Sequence, residues 1–149
     1  MSDRITKRIL LIDDSEDDIL LTLRSFKKNN ILVDIDLARN GVEALEYLFG
    51  KGEDREEQRR ELPALILLDI KLPRLNGLEV LAEIRKNPKT KLIPVVILTT
   101  SKEESDMIRS YHLGVNSYVR KPVNFDEFSE VVKQLGLYWL LLNQSTSEE

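Results

Sequence analysis

The stretch Arg8-Ile9-Leu10-Leu11-Ile12-Asp13-Asp14-Ser15 decides the fold. Branched apolar residues run without interruption and stop abruptly at two carboxylates. A run this short and this apolar, bounded by polar residues, reads as a strand buried on both faces. The pattern recurs along the chain. Ala64-Leu65-Ile66-Leu67-Leu68 runs into Asp69, Pro94-Val95-Val96-Ile97-Leu98 into Thr99, and Ser117-Tyr118-Val119-Arg120 into Lys121. As parallel strands of one sheet, these runs end along one edge, where open α/β sheets place their ligand sites. One crevice then holds three carboxylates, a hydroxyl and an ammonium.

The intervening segments carry helical periodicity. Ser15 caps a segment with Ile19, Leu20, Leu23 and Phe26 at helical spacing, and Asp17 and Asp18 stand at its dipole-positive start. Asn40-Gly41 opens a second helix with Val42, Leu45, Leu48 and Phe49 inward. Asn76-Gly77 opens a third with Leu78, Leu81 and Ile84, which Pro88 closes. Ser101 is expected to cap a fourth, with Met107, Ile108 and Tyr111 at helical spacing and Glu103, Glu104 and Asp106 on a solvated face, ending near Gly114. A fifth starts at Asn124 or Phe125 and carries Phe128, Val131, Val132, Leu135 and Trp139. Residues 31–37 alternate, with Ile31, Val33, Ile35 and Leu37 on one face and Asp34 and Asp36 on the other. This predicts an edge strand with one wetter face. The five-fold β-α alternation predicts a doubly wound, five-stranded parallel α/β sheet in a (βα)5 three-layer sandwich.

The totals narrow the function. The 149 residues fit one domain, expected over 1–143, with a polar tail over 144–149. A net charge of −4 leaves no electrostatic footprint for nucleic acid. Without cysteine there are no disulfides and no thiolate chemistry. No apolar stretch is long enough to span a membrane, and the N-terminus lacks a signal-peptide core, so the expected location is cytoplasmic. Residues 50–61 form a charged insert, with nine ionisable groups from Lys51 to Glu61, and read as a solvated loop or an extra helical turn.

The crevice suggests a chemistry. Carboxylates about 4 Å apart repel by roughly 4 kcal/mol at an effective dielectric near 20, so the cluster needs a cation. Oxygen-only ligands suit Mg²⁺. An aspartate can attack phosphorus and form an acyl phosphate. The charge on the transferred group must then be neutralised. Mg²⁺, Lys121, and the Thr99 hydroxyl with backbone amides can each take one oxygen.

On these motifs the chain resembles a receiver domain of the two-component response-regulator family, with its flavodoxin-like, CheY-like fold. The matching text is Leu11-Ile12-Asp13-Asp14-Ser15, Leu68-Asp69-Ile70-Lys71-Leu72-Pro73 with Asn76-Gly77, Leu98-Thr99-Thr100-Ser101, and Tyr118-Val119-Arg120-Lys121-Pro122. The likeness runs from Arg8 to Leu140, apart from the insert. It implies that Asp69 accepts the phosphoryl group, and that Asp13, Asp14, Asp69 and the Lys71 carbonyl hold Mg²⁺. Thr99 becomes the switch hydroxyl, Lys121 its phosphate-binding companion, and Tyr118 the aromatic whose rotamer follows the state. The Lys121–Pro122 bond is expected to be cis. Three departures bear on phosphate lifetime: Leu72 where the family often has Met, cationic Lys71 two residues after the acceptor, and bulky Thr100 after the switch hydroxyl.

The last helix carries more apolar residues than one core stripe needs. Leu137, Tyr138, Leu140, Leu141 and Leu142 follow the stripe that ends at Trp139. With the long insert and the Leu-Thr-Thr-Ser run, this extension resembles the stand-alone regulators paired with phytochrome kinases. That likeness implies a homodimer through the last helix and last strand.

The expectation is a single-domain response regulator, not an enzyme acting on other substrates. It would catalyse its own phosphorylation and dephosphorylation, take phosphate from a histidine kinase docked near residues 15–23, and act on a downstream protein. Three rivals stand beside it. A phosphorelay intermediate would pass phosphate to a histidine phosphotransfer protein. A phosphatase would need an Asp-x-Asp general acid, and Lys71 stands in that place. A pseudo-receiver would lack part of the five-residue set.

Overall fold

A computed structural model describes residues 7–50 and 61–143. Its elements alternate as expected: β1 (Lys7–Ile12), α1 (Glu16–Lys28), β2 (Val33–Ala38), α2 (Gly41–Phe49), β3 (Leu65–Leu68), α3 (Gly77–Lys86), β4 (Val95–Thr99), α4 (Glu104–His112), β5 (Ser117–Arg120) and α5 (Phe125–Gly136). The strands form one parallel sheet in the order β2-β1-β3-β4-β5. β2 is an edge strand, which explains its alternating pattern. The charged insert at 51–60 and the tail at 144–149 lie outside the described residues, as do residues 1–6.

Neighbouring residues on a strand face opposite sides of the sheet, so each apolar run feeds two cores. Leu10, Ile12, Ile66, Leu68, Val95 and Ile97 pack with α2 and α3. Ile9, Leu11, Leu65, Leu67, Val96 and Leu98 pack with α1 and α5. Each fully buried aliphatic side chain contributes about 1.5–3 kcal/mol. No helix among the described residues is long and apolar enough to cross a membrane.

Four of the five helix starts are capped from their own sequence. The side chains of Ser15, Asn40, Asn76 and Asn124 accept from the backbone N–H three residues on, and Asn76 with Glu79 completes a capping box. The fourth helix departs from expectation. It starts at Glu104 after Glu103, which makes no side-chain cap, and Ser101 lies too far upstream to cap it. Ser101 is drawn instead to a buried carboxylate, its Oγ donating to Asp106 Oδ2 at 2.7 Å.

Two further expectations change. Every peptide bond among the described residues is trans, including Lys121–Pro122. The isomers before proline differ by only about 0.5–1 kcal/mol, too little for sequence to choose between them. The last helix does not run on as α-helix either. α5 ends at Gly136, and a π-helix, Leu137–Leu142, follows. A Cβ at Gly136 would lie 2.7 Å from Ile31 Cδ1 and 3.3 Å from Phe26 Cε1, so the helix is close against α1 and the segment that follows it. The wider π turn re-phases the chain. It buries Leu140 and leaves Leu141 and Leu142 each 68% exposed. The Lys7 ammonium donates to the Leu140 carbonyl and ties this end to β1.

Glycine is required where α3 meets the end of β3. A Cβ at Gly77 would lie 2.1 Å from the Asp69 carbonyl oxygen, and the Gly77 N–H donates to the Ile70 carbonyl at 2.7 Å. Gly77→Ala is therefore expected to lower unfolding stability by about 2–3 kcal/mol, in the overpacking range. A shift in the urea midpoint at unchanged slope checks this, with exposed Lys86→Ala as a near-neutral control.

Candidate functional site

Backbone bonds beyond the strand ends place the site residues. The Asp13 N–H donates to the Ala38 carbonyl at 3.0 Å, and the Asp69 N–H to the Ile12 carbonyl at 3.0 Å. The parallel ladder therefore continues one residue past the apolar runs and brings the two aspartates to adjacent strand ends. On the other side, the Lys121 N–H donates to the Thr99 carbonyl at 2.7 Å. These residues lie at the carboxyl edge because the apolar runs end there in register.

Lys121 reaches into the carboxylates. Its Nζ donates to Asp13 Oδ2 at 2.7 Å, Asp18 Oδ2 at 2.8 Å and Asp69 Oδ2 at 2.9 Å. An ammonium has three donors, and all three are used. The second oxygens of two of these carboxylates take loop amides: Asp13 Oδ1 accepts from the Ser15 N–H at 3.0 Å, and Asp69 Oδ1 from the Lys71 N–H at 3.3 Å. Asp13, Asp69 and Lys121 are buried, while Asp14 is exposed at the mouth.

The electrostatics follow. Burial pulls the Lys121 ammonium down, but the charges of Asp69 and Asp13 and the bonds to Asp13 and Asp18 outweigh it, so its pKa ends well above the ordinary lysine value. Burial pushes Asp13 above the usual carboxylate range, against the opposing pull of Lys121. One ammonium among Asp13, Asp14, Asp18 and Asp69 leaves an excess of negative charge. Asp13, Asp14 and Asp69 each offer an oxygen within 4.8 Å of the others, a set that suits a divalent cation.

Thr99 is fully buried at the end of β4. Its Oγ1 accepts from the Ser101 N–H at 3.2 Å and makes no hydrogen bond to Asp69 or Lys121. Tyr118 points its hydroxyl inward, where Oη is buried without a hydrogen-bond partner. Burial pushes the phenol pKa up, against an opposing pull from nearby Ser101, while the charge of nearby Asp106 pushes it the same way. The structure thus gathers Asp13, Asp14, Asp69 and Lys121, with Lys71 supplying a backbone donor. It keeps Thr99 and Tyr118 a step away.

Asp18 is the site residue that sequence reasoning missed. It was assigned to the helix dipole at the start of α1, yet its carboxylate takes one of the three Lys121 donors. The available signal was positional: an acidic residue in the first turn of the helix that leaves the Asp13 edge also overhangs that edge.

With this geometry in place, the comparisons become specific. Residues 9–133 match the model of the response regulator receiver domain. The chain belongs to that family. It is therefore a response regulator, phosphorylated on an aspartate by a kinase. The response regulator Rcp1 of Synechocystis sp. is 42% identical over 134 residues, covering 90% of this chain and 89% of that protein. A probable methanogenesis regulatory protein of Methanothrix harundinacea, FilR2, is 38% identical, over 92% of this chain and 86% of that one. Among solved structures, the phosphorylated cyanobacterial phytochrome response regulator RcpA superposes with TM-score 0.86 at 38% identity, covering 96% of this chain and 100% of that one. The Mn²⁺-bound form of Rcp1 gives TM-score 0.84 at 41% identity, covering 95% of this chain and 99% of that one. The five-stranded parallel sheet expected from sequence is thus the fold of this receiver family.

Removing the ammonium leaves buried carboxylates uncompensated, which costs about 3–5 kcal/mol in comparable sites. Lys121→Met is expected to lose stability in that range. The double variant Lys121→Met/Asp69→Asn should recover part of the loss, because one of the carboxylates is then neutral. Urea unfolding of the native, single and double variants in chelator measures both effects.

Proposed function

We propose that Asp69 is the phosphoacceptor of this response regulator, charged by a histidine kinase with Mg²⁺ held by Asp13, Asp14, Asp69 and the Lys71 carbonyl. The observation that carries this reading is the convergence of Asp69, two further carboxylates and the fully engaged Lys121 ammonium at one sheet edge. The oxygen-only donor set fits a hard divalent cation, and the Rcp1 form with Mn²⁺ bound supports that reading. When bound, such a cation neutralises phosphoryl oxygen charge.

The chain's own residues carry the rest. An Asp69 oxygen attacks the phosphorus of a phosphohistidine, the P–N bond breaks, and the imidazole leaves with its electron pair. Lys121 gives up a carboxylate partner and donates to a phosphoryl oxygen. The Thr99 hydroxyl leaves the Ser101 N–H and donates to another. Water then attacks the phosphorus, the Asp69 O–P bond breaks and inorganic phosphate leaves with the carboxylate restored, so the chain catalyses its own phosphorylation and dephosphorylation. Tyr118 follows Thr99: its partnerless hydroxyl is held inward at a cost of about 1–3 kcal/mol, which favours a change of rotamer when space or a partner is offered.

The unit that does this is residues 1–143, and its location is cytoplasmic, where kinases draw on ATP. The kinase docks at the start of α1, where Leu20 is 52% exposed and fully exposed Val123 follows the Lys121 strand. The phytochrome association of RcpA supports a phytochrome-type kinase as donor. Output is a contact with a downstream protein. A homodimer through the last helix and last strand is part of the same reading. An open apolar groove lined by Val119, Val131, Leu135 and Trp139 runs between edge strand β5 and α5, next to exposed Leu141 and Leu142. No observation favours a phosphorelay role.

Intact mass after incubation with acetyl phosphate tests the reading. The native protein is expected to gain one phosphoryl group only when Mg²⁺ is present, and Asp69→Asn none. An adduct on Asp69→Asn, or one indifferent to Mg²⁺, would sink it. Sizing chromatography of the same samples is expected to return a dimer, and a monomer at all concentrations would remove the dimer.

A further inference from the structure

Asp18 differs from the other two carboxylates that hold Lys121. Asp13 and Asp69 follow strand ends, their side chains are 4% and 9% exposed, and both belong to the set of three whose oxygens lie within 4.8 Å of one another. Asp18 comes from α1, its side chain is 25% exposed, and it stands outside that set. Its backbone is nonetheless fixed. It lies in the first turn of a helix capped by Ser15, and its N–H donates to Ser15 Oγ at 3.3 Å. Its carbonyl accepts from the Thr22 hydroxyl at 2.8 Å, and both Thr22 and the adjacent Ile19 are buried. From this turn Asp18 Oδ2 accepts from Lys121 Nζ at 2.8 Å, between the 2.7 Å to Asp13 and the 2.9 Å to Asp69.

We propose that Asp18 is a positioning residue that keeps Lys121 in place while a divalent cation engages Asp13 and Asp69. The inference rests on the reading of Asp13, Asp14 and Asp69 as the carboxylates of that cation. Lys121 and the cation draw on the same two aspartates. A carboxylate turned to a metal is a poorer acceptor for an ammonium, and a buried ammonium short of acceptors is costly. With Asp13 and Asp69 as its sole partners, Lys121 would therefore oppose the cation. Asp18 removes the conflict, because its charge-assisted bond to Nζ is one that the cation does not contest. Its own negative charge acts in the same direction, by attracting the cation. Two positive charges then share one crevice, and the lysine keeps a carboxylate of its own. The same bond retains Nζ beside the acceptor when Asp69 takes up its phosphoryl group and one of the three donors passes to a phosphoryl oxygen.

Titration of the full chain with Mn²⁺, read by the paramagnetic resonance of the free ion, tests this with no phosphoryl donor present. The native protein is expected to bind the ion. Asp18→Asn should raise the Mn²⁺ dissociation constant about tenfold, the equivalent of one charge-assisted hydrogen bond. Asp17→Asn removes the same charge from the exposed neighbouring position and so measures net charge alone. It should raise the constant by no more than about threefold, because charges in solvent are screened. In a Lys121→Met background the two substitutions should become equivalent, because the group through which Asp18 acts is gone. Equal effects of Asp18→Asn and Asp17→Asn in the native background overturn the proposal, whether or not Lys121→Met folds. An excess effect of Asp18→Asn that persists without Lys121 also overturns it, since Asp18 would then act on the cation itself. Either result leaves the cation site standing, whereas no Mn²⁺ binding by the native protein overturns the reading of the three carboxylates as well.

Discussion

The Lys121 ammonium among Asp13, Asp18 and Asp69 is the interaction on which the rest of the structure depends. Buried ion pairs are costly because both partners leave water, and they persist only when every donor and acceptor is satisfied. Here all three ammonium donors are used, and the second oxygens of Asp13 and Asp69 are bound by loop amides. The arrangement also remains short of positive charge. A site that holds an excess of carboxylates around one cation attracts a second cation. It is also poised to release its lysine to a new anion. The apolar runs serve this directly, because they fix where the strands stop and so where the carboxylates meet.

Most of this was legible in the sequence because burial on both faces leaves an unambiguous signature. Runs such as Ile9-Leu10-Leu11-Ile12 have few other places to go, and the residue that ends each run lies at the sheet edge by geometry. The caps at Ser15, Asn40, Asn76 and Asn124 were equally legible, being local. The misses share one cause: they depend on contacts between residues far apart in the chain. Asp18 looked like a dipole partner because its other role is set by Lys121, which arrives from β5. Ser101 looked like a helix cap, but Asp106 engages its hydroxyl. The π turn begins just after Gly136, where Ile31 and Phe26, distant in the chain, close on the last helix. The proline isomer at Pro122 hung on an energy difference too small for local sequence to decide.

The chemistry and its output differ in how firmly they are built. Asp13 and Asp69 follow the buried ends of β1 and β3, and Lys121 follows the partly buried edge strand β5. The elements proposed to report the state of this cluster are Thr99 at the end of fully buried β4, Tyr118 on edge strand β5, and α4, whose buried residues are polar.

Borohydride reduction of the phosphorylated protein, followed by peptide sequencing in the mass spectrometer, tests the central claim most directly. Hydride reduces an acyl phosphate and converts the aspartate that bore it to homoserine. The account predicts homoserine at position 69 and at no other aspartate. Reduction at Asp13, Asp14 or Asp18, or a phosphoryl group that survives borohydride on a serine or threonine hydroxyl, would contradict it.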